Sequence, residues 1–122
     1  MQKNKRKPIP LRTVVKLYSV LCQLPPFSEW GMPAPNLVVF SYTSDRSVYG
    51  LYLRPNDCLK HEISVNPKNT LPDTVAVLCH EMVHLKIELM GRRARLSPSH
   101  GVYFKRLARQ VCAQLGFSMK GF

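Results

Sequence analysis

The chain has 122 residues, of which 45 % are hydrophobic, so length and composition predict one folded domain with a modest core. No apolar stretch approaches the ~18 residues needed to span a bilayer, and no secretory signal is recognisable, so we expect a cytoplasmic protein without a membrane partner. Eighteen Lys and Arg residues oppose seven Asp and Glu residues, and the formal net charge of +11 favours association with polyanions such as nucleic acid. A basic surface that serves only solubility is the alternative interpretation.

The cysteines are few and widely spaced. Cys22, Cys58, Cys79 and Cys112 form no C-x-x-C pair, which a zinc ribbon or a redox motif would need. Because no secretory signal is recognisable either, we expect four reduced thiols and no disulfide framework.

The first half of the chain predicts one helix and three strands. Residues 1–8 are predicted to form a basic, flexible arm that precedes a single domain over 9–122. In that domain, apolar residues at helical spacing predict a helix over 11–24, and a proline-rich loop follows. Three runs rich in β-branched and aromatic residues then predict an antiparallel hairpin and a third strand, over 36–43, 47–54 and 61–67.

The second half predicts two helices separated by a basic loop. Thr70 and Asp73 fit a capping box that opens a helix reaching about Met90, and Gly91 is a natural stop. Ser97 or Ser99 then caps a last helix that ends near Leu115. The predicted fold is therefore α+β, with a small antiparallel three-stranded sheet and about three helices.

Residues 79–84 read CHEMVH and contain the pattern His-Glu-x-x-His. At about 100° per residue, His80, Glu81, His84 and Glu88 share one stripe of the helix, and an apolar stripe faces away. Residues i and i+4 lie one above the other, so His80 and His84 can bind one zinc ion at about 2.0–2.1 Å. Glu81 is offset from the metal and is placed to act as a general base. Chance matches occur, so a buried helix with two hydrogen-bonded histidines is the alternative.

A catalytic zinc site usually has three protein ligands, and the candidates for the third are His100, His61 and Glu88. His100 is favoured because it opens the apolar face of the last predicted helix and should point inward. Glu88 lies one turn beyond His84 and is predicted to orient a ligand imidazole instead. His61 begins a strand and is predicted to be an ordinary surface residue. The expected cofactor is one Zn²⁺ per chain.

The segment LCHEMVHLKIELMG, followed by SHGVYFKRLA, resembles the SprT-like metalloprotease family. The shared features are the His-Glu-x-x-His helix, a short loop, and His-Gly-x-x-Phe at the start of the next helix. The resemblance covers roughly residues 9–118 and is specific mainly over 75–107. It implies a zincin-like core with His80, His84 and His100 as zinc ligands and Glu81 as general base. It also implies a zinc endopeptidase that cleaves proteins associated with or crosslinked to DNA, with a role in DNA repair.

The chain departs from the family at its end, because no C-terminal zinc ribbon follows the last predicted helix. We expect a minimal catalytic core, most simply a monomer, that contacts DNA through basic side chains instead. The residues predicted to contact phosphates are Lys3, Lys5, Arg6, Lys7, Arg92, Arg93, Arg95, Lys105, Arg106 and Arg109.

Two other functions are compatible with the sequence. One is a nucleic-acid-associated binding module whose zinc site is not catalytic. Glu81 disfavours it, because a structural site has no use for a glutamate beside a water molecule. The other is a zinc hydrolase of a non-peptide substrate, and no residue in the sequence separates it from an endopeptidase.

Overall fold

The computed structural model describes residues 7–55 and 60–122, so Lys3, Lys5, Arg6 and Cys58 lie outside the described ranges. Within these ranges the chain forms an α+β fold with a three-stranded mixed sheet and four helices. In chain order the elements are helix α1 (Leu11–Cys22), strands β1 (Val38–Tyr42), β2 (Gly50–Leu53) and β3 (His61–Val65), and helices α2 (Leu71–Met90), α3 (Arg92–Arg95) and α4 (Val102–Leu115).

The predicted antiparallel hairpin is wrong, although both of its strands are present. The strand order is β1-β3-β2, so β3 separates β1 from β2. β1 runs parallel to β3, with Val38 opposite His61, and β2 runs antiparallel to it, with Gly50 opposite Val65. The sheet is therefore mixed.

Burial explains why β3 takes the central position. Ile63, Ser64 and Val65 are all buried, whereas β1 and β2 each have exposed residues. The chain that joins β1 to β2 passes around the end of β3, where the Asn66 side chain donates hydrogen bonds to the carbonyl oxygens of Arg46 (3.2 Å) and Val48 (2.9 Å). The backbone groups along both edges of a buried strand need hydrogen-bond partners, so β3 needs a neighbouring strand on each side. The connection from β1 to β2 leaves room for β3 between them.

The core lies between one face of the sheet and the helices. Tyr18 of α1 is fully buried and packs edge-to-face on Phe40 of β1, with 5.3 Å between the ring centroids. α2 contributes the largest apolar surface, and its Leu78, Met82 and Leu85 are completely buried. α2 is twenty residues long, yet no helix in the described ranges is both long and apolar enough to cross a bilayer.

α2 begins and ends where the sequence predicts. The Thr70 hydroxyl oxygen accepts a hydrogen bond from the backbone N–H of Asp73 (3.1 Å), which satisfies one free amide of the first turn. Pro72 is tolerated in that turn because its missing N–H would have no intrahelical partner. The helix ends at Met90, and Gly91 follows with a φ of 108°. The register of the His-Glu-x-x-His residues is thus set from both ends.

The segment between α2 and α4 differs from the prediction. Part of the expected basic loop is a helical turn, α3, anchored by the buried Ala94. α4 begins only at Val102, its N-cap residue is Gly101, and no serine side chain caps it. The Ser97 hydroxyl instead donates to the carbonyl oxygen of Ala94 (2.6 Å) and closes the short helix. A lone buried alanine among arginines has no periodic pattern, so sequence alone did not predict this turn.

Gly50, at the start of β2, lies directly on α2. A Cβ atom there would overlap Val77 Cγ1 and lie 2.9 Å from the carbonyl oxygen of Ser64. We expect Gly50→Ala to lower the free energy of unfolding by about 1–3 kcal/mol, because an added methyl group overpacks this contact. Urea unfolding of the metal-free protein measures the change. Ser44→Ala, at an exposed position of the same connection, is the control and should stay within about 0.5 kcal/mol of wild type. Equal stabilities of the two variants would contradict the close packing.

Candidate metal centre

Three histidine side chains converge in the structure. His80 and His84 lie one turn apart on α2, with ring centroids 5.1 Å apart. The Nε2 atom of His100 lies 3.2 Å from Nε2 of His80 and 3.2 Å from Nε2 of His84. One nitrogen from each ring can face a common point, and these atoms all lie within 4.8 Å of one another. The residues predicted as ligands are therefore brought together into a group that could hold a metal ion.

The position of His100 is a correction to the prediction. It lies in the turn before α4, not inside the helix, and it is exposed and does not point into the core. The N–H of Gly101 donates to the carbonyl oxygen of Pro98 (3.0 Å), which closes this turn and carries His100 over α2. His100 thus reaches the other two histidines from solvent.

The distances fit a tetrahedral ion better than a hydrogen-bonded cluster. Ligand nitrogens at 2.0–2.1 Å from a tetrahedral zinc ion are separated by roughly 3.3 Å. The two observed separations of 3.2 Å are close to that value. By contrast, Nε2 of His100 has either one hydrogen or one lone pair, so it cannot make a well-aligned hydrogen bond to both partners.

The environment also favours the form of histidine that binds metals. Burial, and then the charges of His80 and His100, lower the pKa of His84 to about 4. Burial, and then the charge of His100, also lower the pKa of His80, while a backbone acceptor of Phe122 opposes the shift. At neutral pH both rings are therefore neutral and have a free lone pair, as a metal ligand requires.

Phe104 forms the apolar base of this centre. Its ring centroid lies 4.8 Å from that of His80, 4.8 Å from that of His84 and 4.7 Å from that of His100. It comes from the first turn of α4 and is buried. The sequence placed Phe104 on the apolar face of the last helix but assigned it no part in the site. The sequence feature that could have indicated its contact with the site is its position four residues after His100.

Glu81 is a buried carboxylate without a partner. Its residue is only 6 % exposed, and burial raises its pKa to about 7. Among the described residues, no hydrogen bond or ion pair to its carboxylate is found. Within the described ranges Thr43 Oγ1 is the one fully enclosed side-chain polar atom without a partner, so the carboxylate oxygens of Glu81 face the cleft and are accessible to a ligand or to water.

Glu81 and His80 line a cleft beside the histidines. It has a volume of about 380 Å³ and lies between α2, the start of β2 and the residues after α4. A second cleft of about 260 Å³ lies on the side of His84. The centre is thus open to ligands from two directions.

Glu88 and His61 lie near the centre but outside the group of three histidines. Glu88 forms an ion pair with Arg95 (3.6 Å) and lines the second cleft with His84. No hydrogen bond joins Glu88 to a histidine within the described ranges, and its role in orienting an imidazole stays a prediction. Nδ1 of His61 is hydrogen-bonded to the Tyr52 hydroxyl (2.6 Å), so His61 belongs to the sheet.

The basic residues after α2 remain accessible. Of the positions predicted to contact phosphates, Lys7 and all six beyond Gly91 are exposed, although Arg95 pairs with Glu88 and Arg106 lies over the Tyr103 ring. Residues 91–122 contain seven Lys or Arg residues and none of the acidic residues of the chain. This stretch therefore has a net positive charge, most of it over residues 92–109.

Comparisons with known protein families, curated proteins and solved structures give no significant match to this chain, so its function has to be inferred from the site.

We expect the purified protein to hold about one divalent metal ion per chain, and His100→Ala to weaken its binding at least tenfold. Loss of a partner outside the ligand shell already costs about 10–100-fold, and loss of a ligand should cost no less. Elemental analysis and competition with a chelator measure both quantities. His61→Ala removes a histidine outside the group and should leave metal binding unchanged. A metal-free wild type with a stable fold would contradict the site.

Proposed function

We infer that this protein is a zinc-dependent endopeptidase with a zincin-like core of the SprT-like type. The single observation that supports this most strongly is the buried, unpartnered carboxylate of Glu81 next to three convergent histidine nitrogens. A site that only stabilised the fold would not need this carboxylate. The sequence resemblance at the same residues, His-Glu-x-x-His and His-Gly-x-x-Phe, supports the same conclusion.

His80, His84 and His100 are the proposed ligands of one zinc ion. Three imidazoles are a typical donor set for catalytic zinc, and the two nitrogen separations of 3.2 Å are close to tetrahedral spacing. When bound, zinc supplies a Lewis acid that polarises a carbonyl group and activates water at neutral pH. Phe104 holds the three rings in place from below, so the ligands need little reorganisation when the ion binds.

Glu81 is the proposed general base. Its carboxylate takes a proton from the attacking water and later gives that proton to the nitrogen of the leaving amine. Because the carboxylate has no partner among the described residues, no protein hydrogen bond has to break first. Its position in the cleft, on the next residue after His80, places it beside the ligands and not among them.

The edge of the sheet provides a place for an extended peptide. β2 is an edge strand, and within the described ranges no strand pairs with its outer side. It begins at Gly50, which approaches α2 at Val77 and Glu81. A substrate that pairs with β2 as an additional strand would pass close to the catalytic carboxylate, and this geometry favours a peptide over a small molecule.

Glu81→Gln should abolish hydrolysis of an unfolded protein substrate and leave metal content unchanged. Loss of a general base typically costs about 10²–10⁴-fold in rate, whereas the ligands are not altered. Glu29→Gln, the same substitution at an exposed position outside the candidate centre, is the control and should retain activity. Hydrolysis that survives Glu81→Gln would contradict the role of Glu81. A zinc-bound wild type without any hydrolysis would favour a non-catalytic metal site.

We propose further that the substrates are proteins bound or crosslinked to DNA. The observation behind this is the excess of basic residues over 91–122, which includes exposed side chains of α3 and α4 and no acidic residue. Such side chains can neutralise phosphates and release counterions, which gives sequence-independent binding. The turn that carries His100 lies within this stretch, so DNA bound there would lie close to the metal centre.

The double variant Arg92→Ala/Arg93→Ala should bind duplex DNA more weakly and with a flatter salt dependence. Each lost phosphate contact lowers the slope of log K against log salt by about 1. Fluorescence anisotropy with a short duplex between 50 and 200 mM salt measures the slope. Arg12→Ala/Lys16→Ala removes two exposed charges of α1 and should leave the slope nearer to wild type. Equal slopes for the two double variants would show that net charge alone is responsible.

A further inference from the structure

The main cleft beside Glu81 contains no lysine or arginine, although the protein is strongly basic. Of the residues that line it, only Tyr49, His80 and Glu81 are ionisable, and no lysine or arginine is among them. Val48, Ala76 and Val77 supply apolar surface. An acidic side chain entering this cleft would find no lysine or arginine as a partner, and burying it beside Glu81 would be costly.

One wall of the cleft is the segment over residues 117–122, which folds back from the end of α4. Phe122 is the key residue of this wall. Its ring centroid lies 5.6 Å from that of His80, 6.3 Å from that of Phe104 and 5.8 Å from that of Phe117. Its backbone N–H donates to the carbonyl oxygen of Met119 (3.2 Å), which closes a turn. Phe122 is thus part of a folded wall packed on the core.

We propose that this cleft is a side-chain subsite for an uncharged, apolar substrate residue next to the bond that is cut, and that Phe122 limits its size. This inference rests on the proposed peptidase function. The volume of about 380 Å³ is at the lower end for small-molecule pockets, and is suited to one side chain with its adjoining backbone. Because His80 and Glu81 lie in the same cleft, the residue held there is adjacent to the reacting carbonyl group.

The size limit follows from the position of the Phe122 ring. Phe122 lines both the main cleft and a smaller cleft of about 170 Å³ beside His100. Removing the ring would join the two spaces, and the enlarged subsite would accept an aromatic residue. Met119 lines only the smaller cleft, so its removal would leave the subsite unchanged.

The test is binding of N-acetyl amino-acid hydroxamates to the zinc-loaded protein, measured by calorimetry. The hydroxamate group chelates zinc, and the side chain probes the subsite without any need for catalysis. We use the derivatives of glycine, glutamine, leucine and phenylalanine, all of which are uncharged. Leucine should bind about tenfold more tightly than glycine or glutamine, since apolar groups in a fitting pocket change affinity by about 10–200-fold.

The variant Phe122→Ala should shift the ratio of phenylalanine to leucine affinity by about tenfold towards phenylalanine. Met119→Ala, in the same segment, should leave that ratio as in wild type. Equal affinities for all four derivatives, or a ratio unchanged by Phe122→Ala, would overturn the subsite. An equal increase in affinity for every derivative in Phe122→Ala would also overturn the subsite. Phe122 would then restrict entry to the cleft without limiting the size of the side chain that is held there.

The same proteins separate this inference from the proposed function. If the hydroxamates show the expected preference but no peptide is cleaved, the subsite stands and the peptidase function fails. If wild type cleaves peptides and Glu81→Gln does not, but all four hydroxamates bind with equal affinity, the proposed function is supported and the proposed subsite is wrong.

Discussion

The packing of Phe104 against three imidazole rings is the contact on which the metal centre depends. His80 and His84 are fixed relative to each other by one buried helix, whereas His100 comes from a turn and is exposed. Phe104 joins the two parts, because it belongs to α4 and touches all three rings. α4 in turn is fixed by its buried residues Leu107, Ala108 and Val111. The metal centre is therefore coupled to the core, and an ion bound there would stabilise the packing of α4 on α2.

Local patterns predicted the three long helices but not the short helix α3, and they predicted the sheet only in part. The cap at Thr70, the stop at Gly91 and the apolar periodicity are contained in short windows of sequence, so the bounds of α2 could be predicted within a residue or so. The pairing of strands is not local. Runs over 36–43 and 47–54 have the pattern of a hairpin, yet β3 lies between them because its burial on both faces requires two neighbours. Neither run contains a signal that it will pair with β3 and not with the other run.

The candidate site shows the same contrast between features set by local sequence and features set by distant contacts. His80 and His84 follow from a spacing of four residues, and their convergence needs no knowledge of the fold. His100 does lie beside His80 and His84 in a group that could hold a metal ion, but the reason given for it was partly wrong, since it lies in a turn and does not open a helix. The isolation of Glu81 and the wall formed by Phe122 depend on side chains distant in sequence. These features are properties of the packed molecule, and no pattern within α2 contains them.

The distribution of charge has a consequence for how such an enzyme would select its substrates. If DNA binds, the basic residues over 91–122 would attract its phosphates over about 8 Å, the screening length at physiological ionic strength. The cleft beside Glu81 contains no basic residue, so it adds no preference for acidic side chains. Association with DNA and recognition of the peptide would then depend on different physical forces, electrostatic for the first and apolar for the second. DNA would raise the local concentration of bound proteins, and the fit of one apolar side chain beside Phe122 would decide where they are cut.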